Sequence, residues 1–262
     1  MRLPLYQVDA FADRLFAGNP AAVVPLKEWL PDATMQAIAA ENNLSETAFF
    51  VPEEDGYAIR WFTPALEADL CGHATLASAY VITRFLDEGR RRMAFRTVKA
   101  GTLVVTREGD ELAMDFPAWP AEPAEIPAGL VSVIGRNPSH YLVGKRDHMA
   151  VFERASDVTG LAPDFRALAK LYPFALIVTA PGTGGVDFVS RFFAPGAGID
   201  EDPVTGSAHC MLIPYWARRL GKTKLAARQV SPRGGALSCA IAGDRVTIAG
   251  QARLYLEGTI TL

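Results

Sequence analysis

The chain has 262 residues, half of them hydrophobic, with a formal net charge of −3 and three cysteines. That length supports one large core or two of about 130 residues each. The charge and the lack of a Lys/Arg-rich run argue against a nucleic-acid surface, and no apolar run reaches the roughly 18 residues of a membrane span. Cys71, Cys210 and Cys239 are too few and too scattered for a disulfide framework, which points to a reducing compartment. The opening Met1-Arg2-Leu3-Pro4-Leu5-Tyr6-Gln7-Val8-Asp9 is too polar for a signal peptide, so a cytoplasmic protein without nucleic-acid or membrane partners is expected. His73, His140, His148 and His209 stand apart, with no metal-ligand spacing, and no metal is expected.

In chain order, residues 5 to 11 alternate as a strand. The turn signal Gly18-Asn19-Pro20 follows, then a short apolar strand, Ala21-Ala22-Val23-Val24. Pro31-Asp32 opens a helix to about Asn42, with Met35, Ile38 and Ala39 on one face. Asn43-Leu44-Ser45 is a tight turn into a strand that Glu46 begins. Tyr57–Phe62 is a strand closed by Thr63-Pro64. Asp69-Leu70-Cys71-Gly72-His73-Ala74-Thr75 then leads into an apolar helix to about Leu86. Arg90-Arg91-Arg92, after Asp87-Glu88-Gly89, reads as a solvated turn. Strands at 93–97, 101–107 and 111–116 precede a proline-rich stretch (Pro117, Pro120, Pro123, Pro127) that suits a linker. Strands at 141–143 and 149–152, a helix over 164–171, and strands at 176–180 and 187–193 follow. Asp200-Glu201-Asp202-Pro203-Val204-Thr205-Gly206-Ser207-Ala208-His209 then opens a second apolar helix, to about Leu220. Short strands at 237–239, 245–248 and 253–262 close the chain.

The two halves share a pattern. Arg60-Trp61-Phe62-Thr63-Pro64 precedes Gly72 and a helix; Arg191-Phe192-Phe193-Ala194-Pro195 precedes Gly206 and a helix. The Arg offset is 131 residues (191 − 60) and the Gly offset 134 (206 − 72). An internal repeat is read before single motifs, and this one predicts two pseudo-symmetric lobes with a ligand site in the cleft between them. The glycines let backbone approach a ligand, and the first-turn N–H groups suit an anion.

These segments resemble the phenazine-biosynthesis PhzF-like isomerase family, which has the diaminopimelate epimerase-like fold. The matching segments are Val8-Asp9-Ala10-Phe11 with Gly18-Asn19-Pro20; Asn43-Leu44-Ser45-Glu46-Thr47-Ala48-Phe49; Arg60–Pro64 with Asp69–Thr75; and Glu201–Ala208. The resemblance implies an α+β fold of two lobes, each a mostly antiparallel rolled sheet around a central hydrophobic helix. The lobes would be 1–116 with the returning strand 253–262, and 117–252. It also implies a homodimer and a cofactor-independent proton shift on a small carboxylate-bearing, amino- or hydroxy-acid-like metabolite.

Glu46 is the expected catalytic acid and base. Its apolar context would raise its pKa and suit it to proton abstraction near neutrality; read from the residues alone, a strand-start Glu capping a turn is the favoured reading, and it is the resemblance that makes Glu46 the acid and base. Asp202 reads either as a helix N-cap with Pro203 at the first helical position or as a catalytic group that binds a substrate hydroxyl or amine and tunes the proton transfer, the pocket placement that the resemblance implies. His73, at a helix N-terminus, would be a neutral hydrogen-bonder, and the resemblance makes it a substrate-binding or relay group. Gly72, His73, Gly206 and Ser207 would bind the substrate carboxylate through backbone N–H groups, with Asn19 either at the rim or simply a turn residue beside Pro20. Asp200 and Glu201 read as solvated, and His140, His148 and His209 as structural or surface residues. Cys71 is a small buried residue or a secondary catalytic group. Relatives of the wider fold use two thiols, but the repeat places Thr205 where the second would stand. The alternatives are a Cys71-dependent epimerase or dehydratase of a small amino acid, and a non-catalytic small-ligand binding protein on the same fold.

Overall fold

The computed structural model describes residues 1–172 and 175–262. The elements run β1 (Arg2–Ala10), β2 (Asn19–Pro25), α1 (Asp32–Asn42), β3 (Glu46–Glu53), β4 (Gly56–Phe62), β5 (Glu67–Ala68), α2 (Gly72–Val81), β6 (Arg92–Arg96), β7 (Thr102–Glu108) and β8 (Glu111–Pro117). They continue with β9 (Glu122–Pro123), α3 (Leu130–Ile134), β10 (His140–Val143), β11 (His148–Val151), α4 (Ala155–Thr159), α5 (Phe165–Leu171), β12 (Leu176–Pro181) and β13 (Phe188–Ala194). The last are β14 (Ile199–Asp202), α6 (Gly206–Leu220), β15 (Lys224–Gln229), β16 (Gly235–Ala242), β17 (Arg245–Gly250) and β18 (Ala252–Thr261). The chain divides into two compact units, Met1–Asp115 with Ala249–Leu262, and Phe116–Ile248. The class is α+β.

In the first unit β18 pairs antiparallel with β1, and β1 with β2. β2 and β3 are parallel, β3 and β4 antiparallel, β4 and β6 parallel, and β6 and β7 antiparallel. The helix α2 packs against β1, β2, β3, β7 and β18. Nearly all of its faces are therefore buried, from His73 to Ala79 and at Val81. A helix surrounded on all sides must be apolar all round. Its hydroxyls comply by bonding back to the preceding turn: Thr75 Oγ1 to the Cys71 carbonyl (2.6 Å) and Ser78 Oγ to the Ala74 carbonyl (2.8 Å). The expected end near Leu86 is reached differently. The α-helix stops at Val81, and one π-turn, Ile82–Leu86, carries the chain on.

In the second unit β10 and β11 are antiparallel, β11 and β12 parallel, β12 and β13 antiparallel, β13 and β15 parallel, and β15 and β16 antiparallel. That is the same succession of pairings as β1 to β7 in the first unit. A core of Leu130, Ile134, Phe152, Val158, Leu168 and Phe193 lies under α3, α4 and α5. The helix α6 packs on β15 and β16. Trp216, fully buried, donates from Nε1 to Thr179 Oγ1 at 2.9 Å and stacks on Phe188. Gly221, at φ +66°, ends α6 in the left-handed conformation, its N–H on the Ala217 carbonyl.

One ion pair is repeated in both units. Arg60 forks onto Glu67 through Nε and Nη2, both at 2.7 Å, and Arg191 forks onto Glu201 at 2.7 and 2.9 Å. The second pair is the more enclosed, and Nη1 of Arg191 also donates to the carbonyls of Val158 and Leu161. Glu201 is therefore not a solvated neighbour of the helix start, as its acidic context suggested. It anchors β14 to β13.

Candidate active site

The β1–β2 connection delivers the first site residue. Gly18 has φ +73°, and a Cβ there would come within 2.3 Å of the Ala10 carbonyl oxygen, so only glycine fits. Asn19 follows, fully buried, at the start of β2. Ala21 of β2 lies opposite Glu46, the first residue of β3. Cys71 is the extended N-cap residue of α2, without a side-chain cap bond, and Gly72 and His73 open its first turn.

These elements bring four side chains together. His73 Nε2 lies 3.2 Å from Glu46 Oε2. On the other ring edge, His73 Nδ1 lies 3.3 Å from Asn19 Nδ2 and 3.5 Å from Cys71 Sγ. The Nε2–Oε2 approach is short but off-line, and both buried atoms lack an aligned hydrogen bond. The contact is thus a close ion pair with directional capacity left over.

The charges differ from the sequence expectation for both residues. Burial pushes the Glu46 carboxyl up, but the His73 charge, with the polar His73 and Cys71 groups beside it, outweighs it and holds Glu46 below the usual carboxylate range. Burial pushes His73 down, whereas Cys71 and Glu46 favour the imidazolium and raise it well above its ordinary value. The Cys71 thiol is itself pushed up, by burial first and by the Glu46 charge second. It therefore keeps its proton at neutral pH, and Glu46 is the partner that carries the effect on His73. The expectations of a raised Glu46 and a neutral His73 each considered one group without the other. A doubly protonated His73 also needs an acceptor at Nδ1. The Asn19 amide supplies one when its oxygen is turned to the ring, whereas the sulfur is a weak one.

Among the described residues, Glu46, Cys71 and His73 also form the group whose chemistry could ligate a cation, with donor atoms within 4.8 Å of one another. A metal there would have to displace the protons that His73 and Cys71 hold, because ligation requires the neutral imidazole and the thiolate.

In the second unit, Thr205 is the extended N-cap residue of α6 and Gly206 its first helical residue. Asp202 ends β14, three residues before the cap. It is not the N-cap, and Pro203 is not at the first helical position. Its carboxylate instead accepts the Thr205 hydroxyl proton. Ser207 Oγ accepts from Arg146 Nη2 at 3.2 Å, and a Cβ on Gly206 would meet nothing within 4 Å. His209 is buried behind this turn, Nδ1 to the Thr205 carbonyl at 2.8 Å. His148 lies against Tyr141 Oη at 2.6 Å, and His140 is exposed.

Strand register makes the two units comparable residue by residue. Phe62 lies opposite Thr47 and Phe193 opposite Leu176, so Glu46 corresponds to Ala175. The helix caps align Cys71 with Thr205 and His73 with Ser207. Among the described residues, the carboxylate–imidazole pair lies in the first unit, and Ala175 and Ser207 stand at its positions in the second. Sequence reading missed Gln229, which binds Thr205 on both its N–H and its hydroxyl, and Arg146. Neither sits in a motif; both reach the α6 start from separate strands and turns.

An α+β chain of two repeated units, it is isomerase-like: curated relatives that it matches over their full length are named isomerases. A family model for phenazine biosynthesis-like proteins, PhzC-PhzF, matches residues 8–258, and the chain belongs to that family. An uncharacterized isomerase of Pseudomonas aeruginosa is 52% identical over 262 residues, covering all of both chains. The crystal structure of a PhzF-family phenazine biosynthesis protein from Enterococcus faecalis is 47% identical, with a TM-score of 0.97 and full coverage of both chains. A hydroxyproline epimerase from Agrobacterium vitis is 10% identical with a TM-score of 0.58, over 99% of this chain and 92% of that one; it shares the fold. No helix among the described residues is long and apolar enough to cross a membrane.

Proposed function

We propose that the protein is an isomerase that shifts a proton within a small, carboxylate-bearing amino- or hydroxy-acid-like metabolite, with Glu46 as both base and acid. The observation that carries this reading is the Glu46–His73 pair at 3.2 Å. The pair keeps Glu46 ionised at neutral pH, as a base must be. It also keeps a cationic donor beside the carboxylate, where it can stabilise the negative charge left when a carbon-bound proton is removed. Glu46 then returns the proton at a second carbon, so the sum of the two steps moves one C–H bond and the double bonds between. General acid–base participation of this kind contributes about 10²–10⁴-fold.

Asp202, Gly72, Gly206 and Ser207 are assigned to substrate binding: Asp202 as acceptor for a hydroxyl or amine, the helix-start N–H groups as donors to a carboxylate. The reaction requires neither a metal nor an organic cofactor. A thiol route through Cys71 is disfavoured because burial and Glu46 push its proton affinity up, and because the equivalent position in the other unit is Thr205. The partner is the small-molecule substrate, and a homodimer is the proposed assembly.

The experiment is proton NMR in D2O with a panel of conjugated amino and hydroxy acids, dihydro-hydroxyanthranilate among them, and with Glu46→Gln in parallel. Deuterium entering carbon, or a displaced double bond, in the wild type alone is the expected result. Turnover that survives Glu46→Gln overturns the mechanism.

A further inference from the structure

We infer that Gln229 is a positioning residue: through Thr205 it fixes the Asp202 carboxylate as a hydrogen-bond acceptor for a hydroxyl or amine of the substrate. The inference rests on the reading that Asp202 belongs to the substrate-binding machinery. Gln229 ends β15 and is fully buried. Its Oε1 accepts from the Thr205 backbone N–H at 2.9 Å. A backbone nitrogen can only donate here, so this bond decides which end of the amide is oxygen. Nε2 then faces two acceptors, the Asp202 carbonyl at 2.8 Å and Thr205 Oγ1 at 3.1 Å, and has one proton for each.

The rest of the chain of bonds follows by elimination. Thr205 Oγ1 accepts from Gln229, so its single proton is left to donate, and it donates to Asp202 Oδ2. An ionised carboxylate has no proton to offer in return, so no member can reverse its role while the others stay in place. His209 holds the same turn from behind. Burial lowers its pKa to about 4, and the neutral ring bonds the Thr205 carbonyl through Nδ1. Ser231 Oγ holds the Pro203 carbonyl at 2.7 Å, which pins the turn between Asp202 and Thr205. The outcome is a carboxylate with a fixed rotamer and a donor on one oxygen, arranged before any ligand arrives. That is preorganisation of an acceptor, and it selects substrates that bring a donor.

The test is a titration of Asp202 in protein labelled with carboxyl-13C aspartate, the signal assigned by its loss in Asp202→Asn. Thr205→Ser keeps the hydroxyl, and its midpoint matches the wild type. Thr205→Val removes the donor and raises the midpoint by about one unit, and Gln229→Met raises it in the same direction. A midpoint unmoved in folded Gln229→Met overturns the inference. Should Gln229→Met not fold, wild-type protein labelled with 15N-glutamine carries the test. Both Gln229 side-chain protons are donated and buried, so they exchange with solvent far more slowly than in the unfolded chain; equal rates overturn the inference. Deuterium incorporation separates this inference from the reading beneath it. Incorporation that survives Asp202→Asn removes Asp202 from the site whatever the titration shows. Incorporation lost in Asp202→Asn yet unchanged in Thr205→Val and Gln229→Met overturns the positioning role alone.

Discussion

His73 and Glu46 hold each other in the charged state: the imidazole Nε2 is 3.2 Å from the carboxylate, and the pKa of each is displaced toward ionisation despite burial. Removing either partner should therefore cost more than the interaction itself is worth, because the survivor is left as a buried, uncompensated charge.

For Glu46→Gln the expected loss of deuterium incorporation is about 10²–10⁴-fold. The same substitution removes the first unit's counter-charge to His73, so the His73 pKa falls. An NMR titration of the His73 ring checks this; a ring that still titrates at the wild-type value contradicts the pairing.

The pair also sets a pH window for stability. His73 is raised in the folded state, so its contribution is fully present below the unfolded value of about 6.5 and is lost as pH rises through the raised folded value. Glu46 is lowered, so its contribution is present above about 4.3 and is lost as pH falls through the depressed folded value. Wild-type stability relative to His73→Gln should be greatest between these limits and narrow on both sides. Denaturant melts of the two proteins across pH give the comparison, and a constant difference would contradict it.

Cys71 should be a slow nucleophile. It is buried, and burial and the Glu46 charge push its thiol up. Iodoacetamide at pH 8 should label Cys71 far more slowly in the native protein than in urea, with mass spectrometry as the readout. Rapid native labelling would restore the thiol route.

The two arginine forks should not be equal. Arg191→Ala leaves Glu201 enclosed and removes the donors of the Val158 and Leu161 carbonyls, a loss of about 3–5 kcal/mol. Arg60→Ala should cost clearly less, since Glu67 and Asp32 are more exposed. Thermal melts of the two variants rank them, and a reversed order would contradict the burial argument.

Much of the fold was legible because it follows from local pattern. Met35, Ile38 and Ala39 marked the buried face of α1, and the apolar run 76–82 marked the enclosed α2; the run 210–216 marked a helix whose Pro214 and Tyr215 are only partly buried. The strand β15 was not legible. Lys224-Leu-Ala-Ala-Arg-Gln229 has weak β preference, and its place comes from pairing with β13 and β16. At the site, the residue types were readable but their charges were not. The apolar residues around Glu46 predict a raised carboxyl, and the group that reverses this, His73, lies 27 positions away in sequence (73 − 46). Glu201 was misjudged for the same reason, its partner being Arg191 on another strand.

The correspondence of Glu46 with Ala175, and of His73 with Ser207, bears on how such a chain could arise. If both halves descend from one shorter ancestor, that ancestor had to keep reactive and recognition chemistry on the same few positions. Duplication and fusion lifted that constraint. One copy could lose its carboxylate and imidazole and still keep the arginine fork that both halves share. The copy without the Glu46–His73 pair was then free to drift. Point mutations there would leave the Glu46–His73 pair of the other half untouched.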